Sequence, residues 1–280
     1  MLDEFAASMP LRWAAGFAGS GLIAWIAWRK QALSASGAWS AVVMGAVYFA
    51  LGGPLWYGLL LVFFATSVFW SRWKRHIRAK REAERHYAKT GRRDAGQVWA
   101  NGGIGLALCS AHAVWPEPAL AAAFIGVMAS VNADTWATEI GALSRTQPRS
   151  VLTGRAVPAG TSGGVTPLGT FAALSGAALI GVSAALLGGV EASGLPAAAL
   201  IVMAAVAGLA GAMADSLLGA WLQAMYRCLT CGVLTEREIH CGEPALHAQG
   251  RRWMTNDLVN LLSSLVAGAL AALAALLSKI

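Results

Sequence analysis

Apolar residues gather in eight stretches, near 11–28, 37–52, 54–71, 96–114, 118–143, 167–189, 196–226 and 256–277, separated by charged or glycine-rich segments. A helix needs about 20 apolar residues to cross a ~30 Å hydrocarbon layer. The pattern therefore predicts an all-α, polytopic transmembrane bundle of about eight spans. Gly52-Gly53-Pro54 divides the long run from Ala38 to Phe69, and Trp115-Pro116-Glu117-Pro118 makes a turn between the fourth and fifth spans. Proline sets both boundaries because it has no N–H with which to continue a helical ladder. The first span starts too far into the chain for a typical signal peptide and lacks a small-residue cleavage site, so it is expected to be retained. Trp13, Trp28, Trp56, Trp70 and Trp115 fall near span ends, where an amphipathic ring suits the boundary between tails and headgroups.

Composition agrees. Of the 280 residues, 57% are hydrophobic and 12% charged, against about 45–50% and ~25% in soluble domains. The net charge of +7 changes the picture less than its distribution does, since 13 of the 35 charged residues lie between Arg72 and Asp94, ten of them basic. Basicity confined to one loop argues against nucleic acid as a partner. With that loop cytoplasmic, 19 of the 21 Lys and Arg fall on the cytoplasmic side, while Arg12, Lys279, Asp3, Glu4, Glu117 and Glu191 fall on the other. This is the sorting expected of a cell-membrane protein with both termini non-cytoplasmic. The chain then divides into the first three spans (1–71), a basic cytoplasmic helix or loop (72–95) and a bundle that carries the chemistry (96–280). Residues 72–91 read as a continued helix with a solvated basic face, able to meet anionic headgroups.

Ionisable groups inside a bilayer cost about 2.5–3.5 kcal/mol each, so Asp134, Glu139 and Asp215 call for a purpose. The fifth span carries Asp134 and Glu139 and the seventh carries Asp215 towards the same cytoplasmic end, where all three can face one water-filled cavity. Asp134 and Glu139 lie about 140° apart around a regular helix, so Asp134 and Asp215, on facing helices, are the better partners. Converging carboxylates are the hard oxygen ligands that Mg²⁺ takes; interhelical hydrogen bonds to Asn, Thr and Ser are the plainer alternative. The two spans share an Ala-Asp-Thr/Ser step followed by Gly141 or Gly219, a weak internal repeat.

Between the fifth and sixth spans, residues 157–170 include Gly160, Thr161, Ser162, Gly163, Gly164 and Thr166, with Pro167 placed to start a helix. Glycines that let backbone N–H groups converge, hydroxyls and a helix N-terminus suit an anion, although close helix packing also uses Gly, Ser and Thr. Arg155 lies just upstream, and Arg92 and Arg93 run into a span that keeps Gln97 and Asn101 on one face. Asn256 and Asn260 repeat that spacing behind Arg251 and Arg252 in the last span. Both amide pairs suit a polar pocket. The last cytoplasmic loop (227–255) holds Cys228, Cys231, His240 and Cys241, with His247 nearby. A reducing compartment disfavours a disulfide. The four could hold a structural Zn²⁺, with strain at the adjacent His240 and Cys241 and with His247 as a substitute for either, or could stay as reduced thiols in a polar loop. Cys109 reads as a small core residue.

The run from Asp134 to Gly141, the loop from Pro158 to Thr166 with Gly169-Thr170, the run from Asp215 to Ala220, and Asn256-Asp257-x2-Asn260 together resemble one integral membrane family. It includes the plant phytyl-phosphate kinase of the vitamin E pathway and an animal transmembrane protein. The resemblance covers about residues 90–265 and extends distantly to dolichol and phytol kinases and to phosphatidate cytidylyltransferases. It implies transfer of a phosphoryl group from a nucleotide, with CTP as the expected donor, to a prenyl phosphate lipid. Mg²⁺ on Asp134 and Asp215 would serve that chemistry, with Arg92, Arg93 and Arg155 near phosphates and the prenyl tail between spans. An already anionic acceptor needs no strong base; for a lipid alcohol, Glu139 or Asp215 would be the candidate. The alternatives are a cytidylyltransferase acting on a lipid phosphate and a lipid or small-molecule transporter. A second copy of the chain is also among the partners that the sequence allows.

Overall fold

The computed structural model describes residues 2–73, 77–87 and 91–278. Residues 74–76 and 88–90 of the basic loop, Lys279, and the side chains of Asp3 and Glu4 lie outside the described part. Helices occupy all eight apolar stretches: α1 (Leu2–Arg29), α2 (Ala35–Val47) continuing through a π segment (Tyr48–Gly52), α3 (Gly53–Arg72), α5 (Ala95–Val114), α6 (Pro118–Gly141), α7 (Pro167–Leu186), α9 (Ala197–Trp221) and α10 (Asn256–Leu277). Two short helices, α4 (Arg78–Glu84) and α8 (Gly189–Ser193), lie between them. Among the described residues, five stretches are long and apolar enough to cross a membrane: Ala35–Arg72 taken as one, and α6, α7, α9 and α10. The chain is an all-α integral membrane bundle.

Local chemistry sets the boundaries. Gly53 adopts φ +71°, a left-handed position that glycine tolerates, and the chain folds back there. Ala38 and Ala41 of α2 consequently pack with Phe64 and Val68 of α3 around Leu33. Asp94 caps α5 through a reciprocal pair with Gln97, Thr166 caps α7 with Pro167 in its first turn, and Thr255 caps α10. Each cap satisfies N–H groups that a helix start leaves unpaired.

The bundle is built around α6, whose residues Ala121 to Ala133 are all buried. Its small side chains let neighbours approach: a Cβ on Gly126 would lie 2.6 Å from the Ala271 Cβ of α10, and one on Gly208 of α9 would lie 2.9 Å from the Ala129 Cβ of α6. Such close backbone contact is what drives helix association in lipid. The outer faces of α7 and α9 present Phe171, Leu186, Val202 and Val206, each more than 60% exposed, as a lipid-facing surface requires.

Two expectations change. Trp56 is buried and stacks on Phe124 at 4.2 Å; it belongs to the core because α3 starts against α6 rather than at a free rim. Trp28 and Trp115 are exposed, as interface residues should be. The basic loop is not a continued solvated helix. α3 ends at Arg72, the following Trp73 turns to ψ 127°, and α4 lies against the bundle with Lys80 and Ala83 buried. Past α9 the polar loop forms short strands, with β3 (Met225–Arg227) between β4 (Leu234–Thr235) and β7 (Leu246–Gln249), and β5 (Ile239–His240) paired with β6 (Glu243–Pro244). A further pair, β1 (Arg149–Ser150) with β2 (Gly164–Val165), pins the glycine-rich loop.

Candidate functional site

The C-terminal ends of α6 and α9 and the N-terminal ends of α7 and α10 surround a cavity of about 530 Å³. Asp134, Glu139, Asp215, Arg93, Asn101, Asn256 and Asn260 line it, as do Gly160, Thr161, Ser162, Gly163, Gly164 and Thr166. Two helices thus direct their positive ends, and two their negative ends, at one space.

The three acids have different surroundings. Asp134 accepts no hydrogen bond and makes no ion pair with a described residue, although it lines the cavity. Asp215 accepts a hydrogen bond from the Ser263 hydroxyl at 3.2 Å. Glu139 is fully engaged: buried Lys80 pairs with its Oε2 at 2.6 Å and the Ser71 hydroxyl donates to its Oε1 at 2.7 Å. Lys80 also donates to the carbonyls of Trp70 and Trp73, at 2.6 and 3.1 Å. Glu139 therefore fastens α4 to the bundle while it lines the cavity. Asn132, beside Asp134 in sequence, makes the interhelical bonds instead. It donates to the Gly176 carbonyl at 2.7 Å and accepts from Thr66 at 2.9 Å.

The glycine-rich loop owes its composition to close approach. A Cβ on Gly160 would lie 2.5 Å from the Ala83 carbonyl of α4, and one on Gly163 would lie 2.3 Å from the Ala220 Cβ of α9; both residues have positive φ. Gly141 and Gly219, the repeated glycines, leave room for Gly169 and for Ser162 respectively. The Ser162 hydroxyl donates to Gln223 Oε1 at 3.0 Å, and the buried Gln223 Nε2 at the cavity wall has no partner among the described residues. An unpaired buried donor costs about 1–3 kcal/mol and suits an acceptor brought by a ligand.

Arg93 sits where three spaces meet: the main cavity, a smaller one beside Lys80, and an apolar groove between α1, α2, α3 and α5. Its backbone is bonded to Ala32 and Ser34, and its guanidinium donates to Ser67. Desolvation pulls its pKa down, opposed by Glu139, but a guanidinium stays charged. Arg92 and Arg155 are exposed and do not line the cavity.

Several lining residues carried no decisive signal in sequence. Tyr87 lies in the basic loop, and burial followed by the charges of Glu139, Glu236 and Asp134 pushes its hydroxyl pKa well up, so it remains a donor. Gln223, an amide at the end of an apolar span, could have been singled out. So could Glu236 and Glu238, whose alternation with Thr235 and Arg237 is strand-like: the glutamates line the cavity, while Thr235 and Arg237 donate to the carbonyls of Arg85, His86, Tyr87 and Glu84. Arg252 also lines the cavity.

Cys228, Cys231, His240 and Cys241 lie together outside this cavity, their ligand atoms all within 4.8 Å of one another. His247 is elsewhere, edge-on to Tyr226 at 5.6 Å. Cys241 adopts φ +54°, and this conformation lets adjacent His240 and Cys241 face one point. The Cys231 backbone N–H, then His240, pull the Cys228 thiol down to about 6.

Comparison with known proteins adds relatives. The family described as "Integral membrane protein DUF92" matches residues 18–268. The chain is similar to Protein PGR of Arabidopsis thaliana, 34% identical over 225 residues that cover 73% of this chain and 76% of that protein. It is also similar to an uncharacterized membrane protein of Methanocaldococcus jannaschii, 30% identical over 193 residues, 69% of this chain and 75% of the other. No solved structure matches.

Proposed function

We propose, on the premise that this chain belongs to the DUF92 family of integral membrane proteins, that it is a membrane-embedded phosphotransferase converting a prenyl monophosphate to the diphosphate with CTP as donor. One observation carries the reading. A polar cavity with a carboxylate pair adjoins an apolar groove lined by Ile23, Met44, Leu60, Phe64 and Val98, and Arg93, Gln97 and Asn101 line both. An amphiphile whose phosphate lies at Arg93 and whose tail enters the groove matches that junction, and leaves the glycine-rich loop and the α7 N-terminus for the nucleotide.

The chemistry asks little of the side chains. An oxygen of the acceptor phosphate attacks the γ-phosphorus, the bond to the bridging oxygen breaks, and the nucleoside diphosphate leaves with that electron pair. The attacking oxygen is already anionic, so no base is required. Arg93, Arg252, the free Gln223 N–H and the α7 N-terminus would hold phosphate oxygens in place. Asp134, without a hydrogen bond or ion pair from a described residue, and Asp215 form the hard-oxygen pair that would hold Mg²⁺, which when bound supplies neutralisation of phosphate charge.

Purified protein in lipid, given Mg²⁺, labelled CTP and phytyl or farnesyl phosphate, tests this. The reading expects γ-label in a prenyl diphosphate. Entry of α-label into lipid with release of diphosphate would identify a cytidylyltransferase instead, and no transfer from any nucleoside triphosphate by folded protein would remove both.

A further inference from the structure

The Cys/His cluster has no part in the proposed transfer, yet it closes the segment that forms one wall of the cavity. Cys228 and Cys231 occupy a tight turn after β3, in which the Cys228 N–H bonds to the Val233 carbonyl at 3.0 Å and the Gly232 N–H returns to Cys228 at 2.9 Å. His240 and Cys241 sit at the β5–β6 turn. His240 Nδ1 lies 3.5 Å from Cys231 Sγ and 3.3 Å from Cys241 Sγ. All three thiols are free of disulfides. Three sulfurs and one imidazole nitrogen within 4.8 Å of one another form a closed set of four soft ligands. That set selects Zn²⁺ in tetrahedral coordination over oxygen-seeking Mg²⁺ or Ca²⁺.

The segment between the two ligand pairs explains what a metal would do there. Leu234 to Glu238 is held to the end of α4 by the Thr235 and Arg237 bonds described above and by Glu236 N–H to the His86 carbonyl at 2.9 Å. The same segment brings Glu236 and Glu238 to the cavity, where the Tyr226 hydroxyl donates to Glu238 at 3.0 Å. We propose that Cys228, Cys231, His240 and Cys241 bind one structural Zn²⁺, which ties both ends of this segment and thereby fixes the wall of the cavity and the α4–Tyr87 strap behind it. Metal binding that closes a short loop contributes directly to local folding. The inference is independent of the phosphotransferase reading, because the cluster lies outside the cavity.

The test uses the full-length protein in nanodiscs. Elemental analysis should find one zinc per chain in the wild type, retained in Cys109→Ser and lost in Cys231→Ser/Cys241→Ser. Protein loaded with Co²⁺ should show the visible bands of a tetrahedral thiolate site. On chelation, hydrogen exchange should quicken in residues 234–240 and 84–87 while α6 and α9 stay protected. Wild-type zinc no higher than that of the double variant, with no Co²⁺ thiolate bands, would overturn the site. Zinc that leaves without any change in exchange at 234–240 would overturn its role. Neither readout depends on transfer activity, so failure here is distinguishable from failure of the functional reading.

Discussion

Two regions on the last turns of α6 carry the same chemistry in opposite settings. On the cavity side, Asp134 stands without a hydrogen bond or ion pair from a described residue. On the α4 side, five residues on, Glu139 spends one oxygen on Lys80 and the other on Ser71. A carboxylate costs free energy wherever it leaves water, and the two differ in what offsets that cost. Glu139 is compensated within the protein and shapes the fold. Asp134 makes no such bond with a described residue and faces the cavity that Asp215 also lines, and the partner proposed for the two is a cation.

Substitutions can break this contrast. The largest effect belongs to Asp134→Asn, which should lower the transfer rate by about 10²–10³ while leaving the unfolding midpoint unchanged, since Asp134 makes no hydrogen bond or ion pair with a described residue. Kinetics beside thermal unfolding would show both. A comparable loss falls on stability in Lys80→Ala, which removes the cation paired with Glu139 and leaves it the Ser71 hydrogen bond. Breaking a buried pair costs about 3–5 kcal/mol, and the 25% exposure of Glu139 places the expected value at the lower end, readable in denaturant unfolding. Glu139→Gln can still accept from the Lys80 ammonium through its one amide oxygen and donate its N–H to the Ser71 hydroxyl, but it loses the pairing of opposite charges. It should cost about 1–3 kcal/mol of stability and less than about tenfold in transfer rate, corresponding to ~1.4 kcal/mol; a fall matching that of Asp134→Asn would erase the distinction. The smallest effect is Val98→Phe in the apolar groove, which should raise KM for a long-chain prenyl phosphate by about tenfold or less and leave KM for the nucleotide alone.

The contrast also shows what a sequence can reveal. Hydropathy breaks at Gly53, Pro118 and Pro167 located helix ends because each acts locally, through φ or a missing N–H. The gathering of Asp134, Asp215, Asn256 and Asn260 with the glycine-rich loop followed from one added premise, that all face the cytoplasmic end. Lys80 could not be found this way: in a charge run it looks like any solvated lysine, and only the fold of α4 against α6 brings it to Glu139. Arg92 and Arg155 lie outside the cavity lining for the converse reason. Sequence proximity to an anion-binding loop does not fix where a long side chain points, and both are turned to the outside. The adjacent His240 and Cys241 are expected to be strained on one centre, and the positive φ of Cys241 supplies the conformation in which both face one point.

Asp134 and Asp215, and not Glu139, are the proposed holders of a divalent cation at the cavity. Electron paramagnetic resonance of Mn²⁺ titrated into the protein in nanodiscs tests this most directly. Wild type and Glu139→Gln should hold protein-bound Mn²⁺ with similar affinity, whereas Asp134→Asn and Asp215→Asn should each weaken it at least tenfold. Equal binding in the aspartate variants and wild type, or binding lost only in Glu139→Gln, would contradict the account.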